Sequence, residues 1–143
     1  MYKDALRAAW AEINITNLDF NIKQIKEKVG SGVKITGVVK ADAYGHGSVR
    51  VATVLRANGI ESFAVATLSE AVRLRKAGFL LEEIMVLSPI PEPYIDTIIE
   101  HRLSPVVCDY KNAEAISKAA AAAGIIIKGY IAVDTGMGRI GYS

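Results

Sequence analysis

The sequence lacks the features that would place it in several common classes of protein. Cys108 is its only cysteine, which excludes an internal disulfide and any metal site built from several cysteines. No uncharged run approaches the roughly 20 residues that a membrane-spanning helix needs. The opening MYKDALRAAW contains charges and has no apolar segment of the kind found in secretory signals. We therefore expect a cytoplasmic protein.

Basic residues are not concentrated in any part of the chain either. The formal net charge is +2 over 143 residues, and the lysines and arginines form no stripe of the kind that binds nucleic acid. Apolar residues make up 51% of the sequence, which is enough for one packed domain. The composition predicts a globular domain with no metal, no membrane and no nucleic acid among its partners.

Short β-rich runs alternate with helical segments along the whole chain. The runs are VKITGVV, SFAVAT, EIMVLS, SPVVCD and IIIKGYIAVD. Between them, apolar residues recur at helical spacing, as at Leu18, Ile22, Ile25 and Val29. Glycine follows the helical segments at positions 30, 59, 78 and 124, where a left-handed residue commonly ends a helix. The alternation predicts an α/β fold made of βαβ units, with a parallel sheet and helices outside it.

The even spacing of these units favours a TIM-barrel type (β/α)8 fold over a doubly wound sheet. A complete barrel takes about 250 residues, and this chain reaches only its fifth strand. We therefore predict that residues 1–143 are one domain, roughly the first half of a (β/α)8 barrel with strands 1 to 5. Residues 1–14, which alternate between apolar and polar, are predicted to form a strand outside the barrel sheet. Thr16 and Ser69 are the predicted helix N-caps.

The stretch GVVKADAYGHG carries a lysine to the end of the first buried strand. Active sites of barrels gather at these carboxyl ends, and the apolar strand behind Lys40 can desolvate its amine, lower its pKa and let it condense with a carbonyl. Gly45 and Gly47 permit a tight turn beneath a ligand, and the Tyr44 hydroxyl could reach a phosphate. The alternative is that Lys40 only extends its ammonium into solvent, as strand-end lysines often do.

A second glycine-rich stretch, VDTGMGRIG, follows the fifth strand. Its glycines at 136, 138 and 141 relax the backbone. Arg139 offers a planar pair of donors that suits a carboxylate or a phenolate oxygen. Such a loop is weak evidence of function by itself. Because both glycine-rich loops follow strands of one predicted barrel, however, they should face the same mouth.

Together, VVKADAYGHG and DTGMGRIG resemble bacterial alanine racemases, and the similarity extends back to RAAWAEINITNLDFNI. The resemblance implies an enzyme that uses pyridoxal 5'-phosphate (PLP), combines an N-terminal (β/α)8 barrel with a C-terminal β-domain that this chain does not include, and works as a homodimer. The reaction would interconvert L- and D-alanine for the cell wall. The resemblance also implies that Lys40 forms a Schiff base with PLP and moves a proton at the substrate α-carbon. Tyr44 would contact the cofactor phosphate, and Arg139 the ring hydroxyl and the substrate carboxylate.

Part of the site implied by the resemblance has no counterpart in this chain. In the family, the second base is a tyrosine from the partner subunit's C-terminal domain, and the arginine at the pyridine nitrogen comes later in the sequence. Many members also have a carbamylated lysine seven residues before the arginine, where this chain has Ala132. Lys128 lies about 13 Å of strand earlier and cannot simply replace it. The support of Arg139 stays open, and so does the choice among alanine, serine and lysine as substrate.

Three other interpretations stay open. The chain could be a PLP carrier without catalytic activity, or a decarboxylase of basic amino acids, although both usually differ around Lys40. It could also be a half-barrel without a cofactor, whose open edge strands would lead to self-association. Among other polar residues, Asp42 and Asp134 are assigned to loop structure, His46 to bracing of its loop, and Arg73, Arg75 and Lys76 to a solvated helix face.

Overall fold

The computed structural model describes residues 9–143 of the chain. The strands are β1 Thr36–Val38, β2 Ser62–Val65, β3 Glu83–Val86, β4 Ser104–Val107 and β5 Tyr130–Ile131. The helices are α1 Ile15–Val29, α2 Lys40–Tyr44, α3 Ser48–Ala57, α4 Leu68–Lys76, α5 Ile95–Glu100 and α6 Tyr110–Ala122, with a 3-10 turn at Glu92–Tyr94. Each predicted β-rich run contains one strand, so the predicted alternation is confirmed.

All five strands form one parallel sheet in which chain order is also spatial order, β1-β2-β3-β4-β5. Ser62 of β2 pairs with Thr36 on one side and with Glu83 on the other, and Val106 of β4 pairs with Tyr130. A doubly wound sheet would reverse its strand order at a switch point, whereas consecutive parallel neighbours are typical of a barrel. The predicted half of a (β/α)8 barrel is confirmed.

The hydrophobic core lies between the sheet and the helices. Phe63 and Phe79 are fully buried and meet edge to face, with ring centroids 5.4 Å apart. A Cβ atom at Gly37 of β1 would lie 2.6 Å from Leu55 Cδ1 and 3.2 Å from Phe63 Cδ1. The missing side chain therefore lets α3 pack closely against the strand that leads to Lys40.

The other face of the sheet carries a polar cluster near the amino ends of the strands. Glu83 of β3 accepts hydrogen bonds from Ser104 at 3.2 Å, Tyr130 at 2.6 Å and Lys128 at 2.9 Å. Burial alone would raise the pKa of Glu83, but the hydrogen bonds from Lys128, Tyr130 and Ser104 together outweigh it, and the pKa lies below its ordinary value. The same contact with Glu83 raises the pKa of Lys128. This cluster ties the three strands β3, β4 and β5 together.

One prediction about the helix surface is wrong. Arg73 and Lys76 are exposed, but Arg75 is partly buried, and burial lowers its pKa. Its guanidinium donates to the backbone carbonyls of Glu82, His101 and Arg102 at 2.8, 2.8 and 2.9 Å. These carbonyls lie in connections between elements, where a partly buried C=O group needs a donor from outside the sheet ladder. Arg75 is therefore a structural tie and not part of a solvated face.

The observed N-caps of α1 and α4 each lie two residues before the predicted ones. Asn14 caps α1 and Thr67 caps α4, whereas Thr16 and Ser69 lie inside the first turns of these helices. A cap must precede the first helical residue, because its side chain accepts an N–H group of the first turn that has no partner in the helix. Residues 9–14 form no strand, and the rest of the predicted outer strand, residues 1–8, lies outside the described residues.

Residues 9–143 contain no candidate for a membrane span or for a metal centre. No helix there has the length and apolar character required to cross a bilayer, and no three or more His, Cys, Asp or Glu side chains gather as metal ligands would. Cys108 is a free thiol, partly buried, and burial raises its pKa. This environment fits a small packing residue better than a reactive nucleophile.

Candidate active site at the carboxyl ends of the strands

The two glycine-rich stretches both begin where strands end. Lys40 follows β1 after a single residue, and Arg139 lies in the loop that follows β5. Because the strands are parallel, both residues lie at the carboxyl end of the sheet, Lys40 beside one edge strand and Arg139 beside the other. This is the end of a barrel sheet at which active sites form.

The short element α2, Lys40–Tyr44, is a left-handed turn and not an ordinary α-helix. Residues 41–44 all have φ between 50° and 54°, which costs an L-residue roughly 1–2 kcal/mol each. Gly45 and Gly47 continue the turn at φ values of 85° and 88°, which glycine adopts without strain. Backbone strain of this kind persists only where surrounding contacts maintain it, and it is concentrated at functional sites. Backbone hydrogen bonds within the turn, such as that from Gly47 to the Asp42 carbonyl at 2.8 Å, are joined by contacts from two acidic side chains.

Asp42 holds the turn from within. Its Oδ1 atom accepts hydrogen bonds from the backbone N–H of Ser48 at 2.9 Å and from the Ser48 hydroxyl at 3.0 Å. It also pairs with Arg73 of α4 at 3.3 Å. The hydrogen bonds from Ser48 are the main reason that the pKa of Asp42 lies below its ordinary value. Asp42 therefore has the structural role that the sequence predicted for it.

Glu70 of α4 holds the start of the turn from outside. One carboxylate oxygen accepts the backbone N–H of Ala41 at 2.6 Å. The other oxygen accepts the N–H groups of Ala66 at 2.8 Å and Thr67 at 3.1 Å, the latter as part of a capping box at the start of α4. A single side chain thus connects the loop after β1 to the loop after β2.

Lys40 and Tyr44 lie close to each other on this turn. The Lys40 side chain is partly buried, and its Nζ atom lies 5.9 Å from the centroid of the Tyr44 ring, within range of a cation–π contact. Tyr44 is 64% exposed, so its hydroxyl can reach a ligand. The Nδ1 atom of His46 lies 3.3 Å from the carbonyl oxygen of Tyr44, which agrees with a bracing role for this histidine.

Asp134 organises the loop that carries Arg139. Its Oδ1 atom accepts the backbone N–H groups of Gly138 at 3.0 Å and Gly136 at 2.9 Å, and these bonds lower the pKa of Asp134. The structural role predicted for Asp134 agrees with these contacts. Arg139 itself is exposed, and it forms no ion pair with any residue that the structure describes. Its guanidinium is therefore available to an anionic ligand.

The same loop folds back onto β5. Asp134 donates its N–H to the Tyr142 carbonyl at 2.7 Å, and Tyr142 donates to the Ala132 carbonyl at 2.9 Å. A Cβ atom at Gly141 would lie 2.8 Å from the Asp134 nitrogen, so this close backbone approach requires glycine. Lys128 is held by Glu83 at the opposite end of β5, which agrees with the expectation that it does not replace the lysine absent at position 132.

The side chains at this end of the sheet suit PLP chemically. Lys40 has a primary amine of the kind that condenses with an aldehyde, Tyr44 a hydroxyl that could donate to a phosphate, and Arg139 a planar fork that suits an oxygen anion. The strained turn and the Asp134 loop place these groups at one end of the sheet. The residues present fit the cofactor. The fold and the site together are those of a parallel barrel protein with a lysine at the carboxyl end of its first strand.

Comparison with known proteins gives the family. The sequence pattern of the family described as "Alanine racemase, N-terminal domain" matches residues 13–143, and the chain belongs to that family. The alanine racemase of Clostridium kluyveri is 49% identical over 137 residues, which are 96% of this chain and 34% of that protein. Alanine racemase 1 of Clostridium acetobutylicum is 47% identical over 137 residues, 96% of this chain and 35% of that protein.

A solved structure extends this similarity to the fold. The alanine racemase of Clostridium difficile 630 superposes with a TM-score of 0.89 at 37% identity, over 94% of this chain and 35% of that chain. The chain therefore spans about a third of the length of the relatives it matches.

Sequence reasoning does not identify Glu70 as part of the site. The pattern of Thr67 followed three residues later by Glu70 is that of a capping box, so the start of α4 could have been found from it. No local pattern shows that the second carboxylate oxygen reaches Ala41, which lies 29 residues earlier. The ion pair between Arg73 and Asp42 is missed for the same reason, because it joins residues 31 positions apart.

Proposed function

We propose that the protein containing this chain interconverts L- and D-alanine with PLP and so supplies D-alanine for the bacterial cell wall. The observation that carries the proposal is the position of Lys40, whose amine stands on a strained turn at the carboxyl end of β1. Relatives that bear the name alanine racemase support alanine as the substrate. A cytoplasmic location stays a prediction from the sequence.

Each predicted site residue has a separate task in this reaction. PLP, when bound, withdraws electrons from the substrate α-carbon and so makes its proton acidic. Lys40 holds the cofactor through its Nζ atom and moves a proton on one face of the α-carbon. Tyr44 donates a hydrogen bond from its hydroxyl to the cofactor phosphate. Arg139 donates to the ring oxygen and to the substrate carboxylate, and so fixes the substrate relative to Lys40.

Inversion of the α-carbon requires a second proton carrier on the opposite face, because Lys40 approaches from only one side. The family resemblance assigns this task to a tyrosine of a partner subunit. We therefore propose a homodimer in which each site is completed by its partner. This arrangement predicts that residues 9–143 contribute Lys40 as one base, which is also the amine that holds the cofactor, and that racemisation needs more of the enzyme than this chain.

A labelling experiment tests the role of Lys40. The protein is mixed with PLP and reduced with borohydride, which fixes the cofactor on the amine that it has joined, and the modified peptide is located by mass spectrometry. We expect one pyridoxyl group on Lys40, retained in Lys34→Ala, which removes an exposed lysine before β1, and lost in Lys40→Ala. Label spread over surface lysines, or equal labelling of Lys40→Ala, would contradict the proposal.

The open sheet edges favour a second property of the isolated chain. β1 and β5 end the sheet in the described residues, and Ile131 and Val133 at the β5 edge are 74% and 66% exposed. Exposed edge strands pair with other chains, so we propose that the 143-residue chain self-associates. Sedimentation should detect dimers or larger species as the concentration rises, and a monomer at every concentration would exclude this property.

A further inference from the structure

We propose that Glu70 is a positioning residue for Lys40, because it joins the peptide group that follows Lys40 to the start of α4. The inference rests on the proposed function of Lys40, whereas the hydrogen bond on which it depends can be tested without the cofactor. Glu70 would touch neither substrate nor PLP. It would act through the backbone on which the Lys40 amine is presented.

The geometry supports a direct effect on Lys40. The N–H group of Ala41 belongs to the peptide unit that also contains the Lys40 carbonyl, and peptide units are planar. The 2.6 Å hydrogen bond from Ala41 to Glu70 therefore fixes the plane at the carboxyl side of Lys40. Ala41 is also the first of the four left-handed residues, so the bond acts where the strained turn begins.

The carboxylate does more than cap its own helix. The capping box uses only Oε2, which accepts from Ala66 and Thr67, while Oε1 accepts from Ala41. Both oxygens must be acceptors to serve both loops. A glutamine at this position has a single acceptor oxygen, and its NH2 group would face an N–H group, so one of the two connections would be lost.

A second contact from α4 acts on the same turn. Arg73 follows Glu70 by three residues, so the two side chains project from the same face of the helix. Arg73 pairs with Asp42 at 3.3 Å, one residue beyond Ala41. α4 therefore holds two successive residues of the turn, and Glu70 provides the shorter of the two contacts.

Matched variants separate this role from simple helix capping. Glu70→Met and Glu70→Ala remove both carboxylate oxygens, including the acceptor for Ala41, whereas Thr67→Ala removes the other half of the capping box and leaves the acceptor for Ala41 in place. Amide hydrogen exchange at Ala41 is measured without PLP. The rate at which borohydride traps PLP on Lys40 is measured in parallel, with the thermal midpoint of each variant as a check on folding.

We expect exchange at Ala41 to be about tenfold faster in both Glu70 variants, because a hydrogen bond to a charged acceptor is lost. Trapping on Lys40 should be slower in the same two variants. Thr67→Ala should leave both rates within about twofold of the unsubstituted protein, although it lowers the stability of α4. Glu70→Met keeps about the length of the side chain and serves if Glu70→Ala does not fold.

Two results would overturn the inference. Unchanged exchange at Ala41 in Glu70→Met, or an equal increase in Thr67→Ala, would show that the tie does not exist as a separate contact. Faster exchange with unchanged trapping on Lys40 would show that the tie does not position the amine. If the unsubstituted protein carries no label on Lys40, the proposed function fails and the positioning role fails with it, while the exchange rates still decide whether the hydrogen bond forms.

Discussion

Replacing Ala41 by glycine should stabilise the protein, although the same substitution weakens an ordinary helix. Ala41 has φ 50° and ψ 45°, a conformation that costs an L-residue roughly 1–2 kcal/mol and that glycine adopts freely. The greater freedom of glycine in the unfolded chain opposes this by about 0.5–1 kcal/mol. Ala41 is exposed, so little burial is lost, and the backbone bond to Glu70 is kept. The difference is a gain of about 0.5–1 kcal/mol in the free energy of unfolding.

The matched control is Ala121→Gly in α6. Ala121 is also exposed, but it lies in a right-handed helix, where glycine costs about 1 kcal/mol. Urea unfolding of both variants should give shifts of opposite sign in the midpoint at an unchanged m-value. If Ala41→Gly lowers the free energy of unfolding as much as Ala121→Gly does, the turn after Lys40 is not strained and the reasoning about it is wrong.

Three further predictions concern the rest of the framework. Gly141→Ala should lower the free energy of unfolding by about 2 kcal/mol or more, because alanine is strained at this positive φ and its Cβ would meet the backbone. The control Gly32→Ala has open space around it and should change the free energy of unfolding by less than about 0.5 kcal/mol. Equal effects of the two substitutions would contradict the close backbone approach in the loop that carries Arg139. Arg75→Ala should lower the free energy of unfolding by about 2–4 kcal/mol, because several backbone carbonyls lose their donor. Lys76→Ala on the same helix should be nearly neutral, and denaturant unfolding compares the two variants. A neutral Arg75→Ala would contradict the structural role of Arg75. Because the folded-state pKa of Glu83 is lowered, its contribution is present above the ordinary glutamate pKa and is lost as the pH falls through the folded value. The stability difference between the unsubstituted protein and Glu83→Gln should therefore shrink below about pH 4, and a difference that does not depend on pH would contradict this role.

The barrel half could be predicted because its signals are local. Each β-rich run, each helical period and each glycine that ends a helix is visible in a window of a few residues. The glycines at positions 30, 59, 78 and 124 all have positive φ, as expected for residues that follow helices. The even spacing of the units then leaves few arrangements of parallel strands. The positions of Lys40 and Arg139 at the same end of the sheet follow from that arrangement.

The supports of the site could not be predicted, because they join residues far apart in the sequence. In the sequence Arg75 looks like any surface arginine, because the carbonyl groups of residues 101 and 102 to which it donates lie far from it along the chain. The contact between the second carboxylate oxygen of Glu70 and Ala41 could not be predicted either, because only the fold brings the loops after β1 and β2 together. The roles of Asp42 and Asp134 in their own loops were accessible from the sequence, because the backbone groups that they bind lie within six residues of them.

The return of the chain at Tyr142 limits how the arginine can move. Ala132 donates to Val107 of β4 and accepts from Tyr142, so the end of the loop extends the sheet ladder beyond the last residue of β4. A segment anchored in this way cannot swing as a flap without breaking ladder hydrogen bonds. Because the loop is fixed at both ends, the guanidinium of Arg139 stays close to the carboxyl ends of the fourth and fifth strands, and an anion that it binds is expected to lie there.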